Sequence, residues 1–300
     1  MAKSTRPATT DRHYQRYLGW LKRQPLSEHS KRAYRARISL FLDFLSASNG
    51  EIERLLAEAT ESQYLLREYK RHLKLSRKFL PSSVNAALTA VDHFYQFLGL
   101  PAAKIDREDL PQEAPRALAP EEQKRFIEVV KGRRRALDRA VPLLMINTGI
   151  RVGECSALDL SDVSVAGRKA QIVIRSGKGE RYREVPLNEE ARDAVRDWIL
   201  ERNQRFAELE TEDALFINPQ GRRMSATSID RIVRKSGAVC GIELSSHVLR
   251  HTALTNLVRK GHDLILVAEI GGHRRLETTR RYSLPSRENK QEAVDSLLEG

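Results

Sequence analysis

The segment SSHVLRHTALTNLVRKGHDLILVAEIGGHRRLETTRRY, residues 245–282, is the most informative part of the chain. Ser245 and Ser246 are capping candidates ahead of one predicted helix. The paired glycines at 271 and 272 predict the end of a second helix. His247 and Arg250 are three residues apart, so the imidazole and the guanidinium share one face of a helical turn.

A metal-binding interpretation of this turn has to be weighed, because His247 and His251 are four residues apart. However, Val248 stands where a His-Glu-x-x-His zinc site has its glutamate. The ordinary explanation for such a turn, taken alone, is a structural His/Arg pair packed against acidic residues. We therefore expect no metal ligands here.

Outward from this segment, the C-terminal part of the chain is predicted to be mainly helical. Pro120 starts one helix, and the segments LNEEARDAVRDWILERN and SATSIDRIVRKSG predict two more. Residues 171–187 alternate with period two around Gly177 and Gly179, which predicts a β-hairpin with Lys178 at its tip. The segment DVSVAG is a possible third strand.

Upstream, four prolines between residues 101 and 120 predict an interdomain linker, because proline removes backbone donors and stops helices. We place the linker at about 101–118 and the domains at 1–113 and 114–300. The segments SEHSKRAYRARISLFLDFLSA and SSVNAALTAVDHFYQFLGL predict helices of an N-terminal bundle. Four basic residues of the first are candidates for DNA binding: Lys31, Arg32, Arg35 and Arg37.

The composition narrows the functional class. The 300 residues include 52 Lys and Arg against 40 Asp and Glu, a formal charge of +12. Such an excess is typical of a protein that binds a polyanion, although solubility alone also explains it. No stretch approaches a membrane span, the polar N-terminus lacks the apolar core of a signal peptide, and two cysteines exclude a disulfide scaffold.

Four further side chains are ordinary when they are taken singly. Arg151, with Glu154 three residues on, suits a salt bridge at a helix start. A lysine in a turn, such as Lys178, is usually only solvated. His273 follows the paired glycines, and Tyr282 comes nine residues later.

The combination and order of these residues resemble the tyrosine recombinase (phage integrase) family, in its Xer-like or mobile-element-encoded members. The Arg–Lys–His-x-x-Arg–His–Tyr pattern is carried here by TGIRVGE, SGKGE, HVLRHT and GGHRRLETTRRY. The resemblance covers nearly the whole chain. It implies a mainly α fold, with an N-terminal helical core-binding (SAM-like) bundle and a C-terminal α+β catalytic domain that holds a small antiparallel sheet.

The resemblance also implies a reaction and a role for each residue. Tyr282 would attack a DNA phosphate and form a 3′-phosphotyrosyl bond, leaving a free 5′-hydroxyl. The donors that stabilise the phosphorane would be Arg151, Arg250 and His273. His247 would be the base and Lys178 the general acid, with Glu154 orienting an arginine. No metal, ATP or other cofactor is expected.

The expected partner is double-stranded DNA, bound by a homo-tetramer or a related hetero-tetramer on two sites, with possible accessory DNA-bending or directing proteins. A cytoplasmic, nucleoid-associated location is expected, with no membrane. Residues 286–300 predict an amphipathic helix that packs either on its own domain or on a neighbouring subunit. The alternatives are a type IB-like topoisomerase, a DNA-binding regulator without chemistry and a metal-dependent hydrolase.

Overall fold

The computed structural model describes residues 6–48, 59–101, 105–110, 115–176, 181–208, 212–273 and 276–283. The chain divides into two compact units, residues 1–111 and 112–300. Within the described ranges, no helix combines the length and the apolar character that a membrane crossing requires. The predicted C-terminal helix at 286–300 lies outside the described residues.

The first unit is a bundle of four helices in the described ranges: α1 (Ala8–Arg23), α2 (Glu28–Ala47), α3 (Ala59–Leu75) and α4 (Pro81–Leu98). The two helices predicted from the sequence are α2 and α4, and both predictions are confirmed. The apolar stripe of α2 is fully buried at Ile38, Phe41, Leu42 and Leu45, because residues three and four apart share one helical face.

Local signals set the ends of these two helices. The Ser27 side chain accepts a hydrogen bond from the backbone N–H of Ser30, at 3.1 Å, and so caps α2. Pro81 is the first residue of α4, where its missing N–H costs nothing. Gly99 follows α4 with φ of 75°, in the left-handed region that glycine adopts without steric penalty.

The second unit is built around α6 (Ala136–Thr148), most of which is buried. It contacts four other helices, which explains why it is apolar on nearly all sides. The helices of this unit in the described ranges are α5 (Pro120–Lys131), α6, α7 (Val152–Ala157), α8 (Glu189–Arg205), α9 (Ala226–Val239), α10 (Ser246–Arg259), α11 (Leu264–Gly271) and α12 (Leu276–Arg280).

A small antiparallel sheet lies between α7 and α8 in the chain. Its strands are β1 (Val163–Ser164), β2 (Gln171–Ser176) and β3 (Arg181–Pro186), in the order β1-β2-β3. The two arms of the predicted hairpin and the possible third strand are thus confirmed. The tip of the hairpin, residues 177–180 with Lys178, lies outside the described residues.

Candidate active site

Arg250 lies at the centre of a cleft in the second unit and is 3% exposed. Its Nη1 donates to the carbonyl of Gly149 at 2.5 Å, and its Nη2 donates to the carbonyl of Gly271 at 2.7 Å. These carbonyls belong to the ends of α6 and α11, so α10 is tied to both helices through one guanidinium. Burial and the charge of Arg151 lower the pKa of Arg250 to about 10, which leaves it charged at neutral pH.

Two glycines in the backbone near Arg250 and Arg183 adopt positive φ angles and leave little room for a side chain. Gly149 adopts φ of 65°, and a Cβ there would come within 3.3 Å of Leu254. Gly272 adopts φ of 61°, and a Cβ there would lie 2.5 Å from the guanidinium of Arg183. The lack of a side chain therefore lets α6 end against Leu254 of α10 at Gly149, and lets the turn after α11 approach Arg183 at Gly272.

A single carboxylate holds two arginines in the wall of the cleft. Glu154 accepts bonds from the backbone N–H and from Nη1 of Arg151, both at 2.8 Å. It also accepts from Nη1 and Nη2 of Arg183, at 3.0 and 2.7 Å. Burial alone would raise the pKa of Glu154, but the bonds and charges of the two arginines lower it.

His273 lies beside Arg250, and its contacts determine which ring nitrogen carries the proton. Its Nε2 is 2.8 Å from Nη2 of Arg250, which can only donate, so Nε2 accepts. Its Nδ1 is 2.7 Å from the hydroxyl of Thr279 and therefore carries the proton of the neutral ring. Burial and the charges of Arg250 and Arg151 lower the pKa of His273 to about 4.

Tyr282 lies in the turn after α12 and is 7% exposed. Its ring is nearly parallel to that of His273, with 5.8 Å between centroids. Its hydroxyl is 3.1 Å from Nδ1 of His251. Burial raises the pKa of the Tyr282 phenol, and the charge of Arg250 opposes that rise.

The two histidines of α10 are adjacent, with ring centroids 4.6 Å apart. Burial lowers the pKa of both, with added effects from nearby arginines, and that of His251 falls to about 4. The start of this helix is fixed by Asp230 of α9, which accepts a bond from the backbone N–H of Ser246 at 2.8 Å. The Ser245 side chain accepts from the backbone N–H of Val248, as predicted for a cap.

Five of the six residues in the predicted catalytic pattern border one cleft of about 130 Å³; they are Arg151, His247, Arg250, His273 and Tyr282. The sixth, Lys178, lies outside the described residues. Glu154 is in the wall of the cleft through its bonds to Arg151. Across the described ranges, no three His, Cys, Asp or Glu side chains are grouped so that they could hold a metal ion.

The four predicted DNA-binding residues all lie on α2 in the first unit. Arg32 and Arg35 are exposed, and Lys31 pairs with Glu28 at 3.2 Å. Arg37 is about 160° from Arg35 around the helix axis, so it does not share their face. Of the four predicted residues, Arg32 and Arg35 thus form the exposed basic pair on one face of α2.

Two residues of the site were missed as functional candidates in the sequence. The sequence pattern suggests His251 only as one of two histidines in a possible metal site. Arg183 was not singled out, although a signal exists. It lies opposite buried Ile174 in the β2–β3 register, so it occupies a core-facing position of a strand. An arginine at such a position needs a buried carboxylate, and Glu154 provides it.

The chain is similar to known proteins in both sequence and fold. The profile of the phage integrase family matches residues 116–288, and that of the phage integrase N-terminal SAM-like domain matches residues 12–100. Tyrosine recombinase XerA of Pyrococcus furiosus is 29% identical over 226 residues, covering 72% of this chain and 75% of that protein. Tyrosine recombinase XerC of Myxococcus xanthus is 30% identical over 236 residues, covering 74% and 78%.

Solved structures share the fold over almost the whole chain. A crystal structure of XerA recombinase is 27% identical, with a TM-score of 0.54, and covers 96% of this chain and 98% of that one. The XerH site-specific recombinase bound to its difH substrate, in a pre-cleavage complex, is 19% identical. Its TM-score is 0.70, with 98% and 90% of the two chains covered.

Proposed function

The chain belongs to the phage integrase family and is a tyrosine recombinase of the Xer type, and on that premise we propose how its residues divide the reaction. It is an enzyme that cleaves and rejoins DNA, and it recombines specific sites through the tyrosine mechanism. The observation that supports the residue roles is the meeting of Arg151, Arg250, His273 and Tyr282 at one cleft.

Tyr282 is the proposed nucleophile. Its phenol oxygen forms a bond to phosphorus, the bond from phosphorus to the 5′-oxygen breaks, and a 3′-phosphotyrosyl enzyme results. The phosphodiester energy is kept in that bond, so rejoining needs no ATP. Attack by the 5′-hydroxyl of a partner duplex releases Tyr282 and exchanges strands.

Arg151 and Arg250 are proposed to stabilise the negative charge that gathers on the non-bridging oxygens. Pre-placed cations stabilise this charge more than they stabilise the substrate, because the charge is greatest in the transition state. Bonds to Glu154 and to the carbonyl of Gly149 hold the guanidiniums of Arg151 and Arg250 in place. A phosphate oxygen that takes Nη2 of Arg250 would free Nε2 of His273 to gain a proton and become a donor.

Two proton transfers accompany the exchange of bonds. We assign the proton for the departing 5′-oxygen to Lys178, which the family resemblance implies as the general acid, because an alkoxide is a poor leaving group. The phenol must lose a proton, since its ordinary pKa is near 10. The family resemblance implies His247 as that base, while His251, one turn further along α10, is the imidazole whose Nδ1 lies 3.1 Å from the phenol oxygen.

The two domains are proposed to bind the duplex together, residues 1–113 through the basic side chains of α2 and residues 114–300 at the scissile phosphate. The neighbouring XerH structure holds a DNA substrate, which supports a duplex as the partner here. Exchange between two duplexes requires four active sites, hence a tetramer. The same proposal includes accessory proteins, a C-terminal helix that docks onto the protein, and a location in the nucleoid.

The test begins with a duplex site selected by binding from a random library. A nicked version of that site, which loses its 5′-hydroxyl fragment on cleavage, should trap wild-type protein covalently. Plasmids carrying two copies of the site should give recombined products. If the protein instead relaxes a supercoiled plasmid that lacks the site and yields no exchanged products, the topoisomerase alternative replaces this proposal.

A further inference from the structure

The hydroxyl of Tyr282 is paired with an imidazole that lies outside the family pattern quoted above. We propose that His251, rather than His247, takes the proton of the Tyr282 hydroxyl when that oxygen attacks phosphorus. The proposal rests on the function assigned to Tyr282 in the preceding subsection. It makes His251 a catalytic residue, since its Nδ1 contacts the reacting oxygen at 3.1 Å.

Arg250 and His251 are neighbours on α10, but their side chains point in different directions and contact different groups. Arg250 is directed into the carbonyls of Gly149 and Gly271, and it is held there by both. His251, the next residue, has its ring centroid 5.5 Å from that of Tyr282, at an interplanar angle of 48°. An angle of this size lets a ring nitrogen point at the hydroxyl instead of stacking on the phenol.

The charged and titratable groups around His251 keep it able to accept a proton. On its own helix these groups are His247 and Arg250. The C-terminal segment contributes Arg281 and the phenol of Tyr282, and the turn after α11 contributes His273. Together with burial, the basic neighbours lower the pKa of His251 to about 4, so the ring is neutral at pH 7.

Bound substrate should raise the pKa of His251, which is the change that a general base needs. A bound phosphodiester brings negative charge to the same arginines, and the phosphorane brings more. Their effect on the ring is then offset, so the imidazole becomes more basic as the phenol oxygen begins to bond to phosphorus. A neutral free-enzyme imidazole that becomes basic in the transition state suits a general base.

Every proton that is transferred in cleavage returns to its donor in rejoining. In cleavage, the O–H bond of Tyr282 breaks, its proton goes to Nδ1 of His251, and the oxygen bonds to phosphorus. The 5′-oxygen leaves with the proton that Lys178 is proposed to supply. In rejoining, the incoming 5′-hydroxyl gives its proton to the neutral amine of Lys178 as its oxygen bonds to phosphorus, and the departing Tyr282 oxygen takes its proton back from the imidazolium.

The experiment measures single-turnover cleavage of the nicked site against pH, for wild type, His251→Gln and His247→Gln. Because bound DNA brings the pKa of His251 back toward its ordinary value near 6.5, the wild-type rate should vary little from about pH 7 to about pH 8. His251→Gln should be slower by about 100-fold at pH 7. Its rate should then rise about tenfold per pH unit, since only phenolate can attack. His247→Gln should lower the rate without that slope.

A second measurement separates proton transfer from positioning. A fluorinated tyrosine at position 282 has a more acidic phenol, and it should restore most of the rate of His251→Gln at pH 7. His262→Gln provides the matched control, because His262 is exposed and the substitution is identical; it should cleave like wild type.

The outcomes separate this inference from the function on which it rests. No adduct from wild type would remove the proposed nucleophile itself. A wild-type adduct together with a wild-type rate in His251→Gln would overturn the proton transfer alone. So would a rate in His251→Gln that is low at every pH and unchanged by the fluorinated tyrosine.

Discussion

Glu154 and Arg183 form a two-pronged ion pair, with both carboxylate oxygens bonded to the guanidinium at 3.0 and 2.7 Å. The side chains are 18% and 15% exposed, so the pair is largely shielded from water. Arg183 also donates from Nε to the carbonyl of Ile270 at 3.0 Å. The pair therefore links β3 to Arg151 and to the end of α11.

Replacing Arg183 should slow cleavage although it is not a member of the family pattern. With Arg183→Met, Glu154 keeps only its bonds to Arg151 and loses the two bonds that hold the carboxylate from the other side, so Arg151 is oriented less firmly. Loss of such a supporting contact costs about 10- to 100-fold in activity. The measurement is single-turnover cleavage at saturating DNA, with Arg196→Met, at an exposed position of α8, as a control that should cleave like wild type.

The same pair should show energetic coupling in the protein without DNA. Arg183→Met alone leaves a shielded carboxylate less well paired and should cost about 3 kcal/mol of unfolding free energy. The double variant with Glu154→Gln should recover about 1–3 kcal/mol relative to the sum of the two single changes. Additive losses in a urea-unfolding cycle would show that the two side chains act independently.

Arg250→Ala should nearly abolish cleavage, by about 1,000-fold, because a donor to the developing charge is removed. The change also leaves the carbonyls of Gly149 and Gly271 without their guanidinium partner, so stability should fall as well. Arg250→Lys keeps the charge but not the fork, and is a more conservative test. It should bind DNA like wild type and still cleave at least about tenfold more slowly.

Much of this fold could be predicted because its signals are local. Caps and prolines marked α2, α4 and α10, the paired glycines marked the end of α11, and period-two alternation marked the hairpin. The positions of Arg151 and Tyr282 in one cleft are a different kind of information. These positions depend on the tertiary packing of α6, α10 and α11, which cannot be predicted from the spacing of residues in the sequence. Here only the resemblance to a known family supplied the expectation.

The two missed residues illustrate why local patterns were insufficient. The role of Arg183 depends on its contact with a carboxylate 29 positions away in the sequence. The role of His251 depends on its contact with a hydroxyl 31 positions away. A strand arginine on a core-facing position was a usable signal for the first. His251 had no comparable signal, since i,i+4 histidines are equally compatible with a surface helix.

The stability of the protein should fall on mild acidification. His251 and His273 have a pKa of about 4 when folded, against about 6.5 when unfolded. The unfolded state therefore binds more protons between these values, and stability falls as pH drops from about 6.5 to about 4. Both rings keep some water contact, so each contributes about 1–2 kcal/mol. His251→Gln should flatten this part of the profile of Tm against pH.

Lys178 should be dispensable when the leaving group needs no proton. A 5′-bridging phosphorothiolate leaves as a thiolate, which is far less basic than an alkoxide. Lys178→Ala should therefore cleave the ordinary site slowly and the sulfur-substituted site at nearly the wild-type rate. Equal impairment on both substrates would remove the general-acid role.

The covalent intermediate offers the most direct measurement of the central claim. Trapped protein from the nicked substrate should be digested with nuclease and protease, and the modified peptide identified by mass spectrometry. The chain has eight tyrosines, and the nucleotide should be found on Tyr282 alone. Tyr282→Phe should bind the site but give no adduct, whereas Tyr182→Phe, at an exposed strand position, should react normally. A nucleotide attached to any other residue, or an undiminished adduct in Tyr282→Phe, would contradict the account.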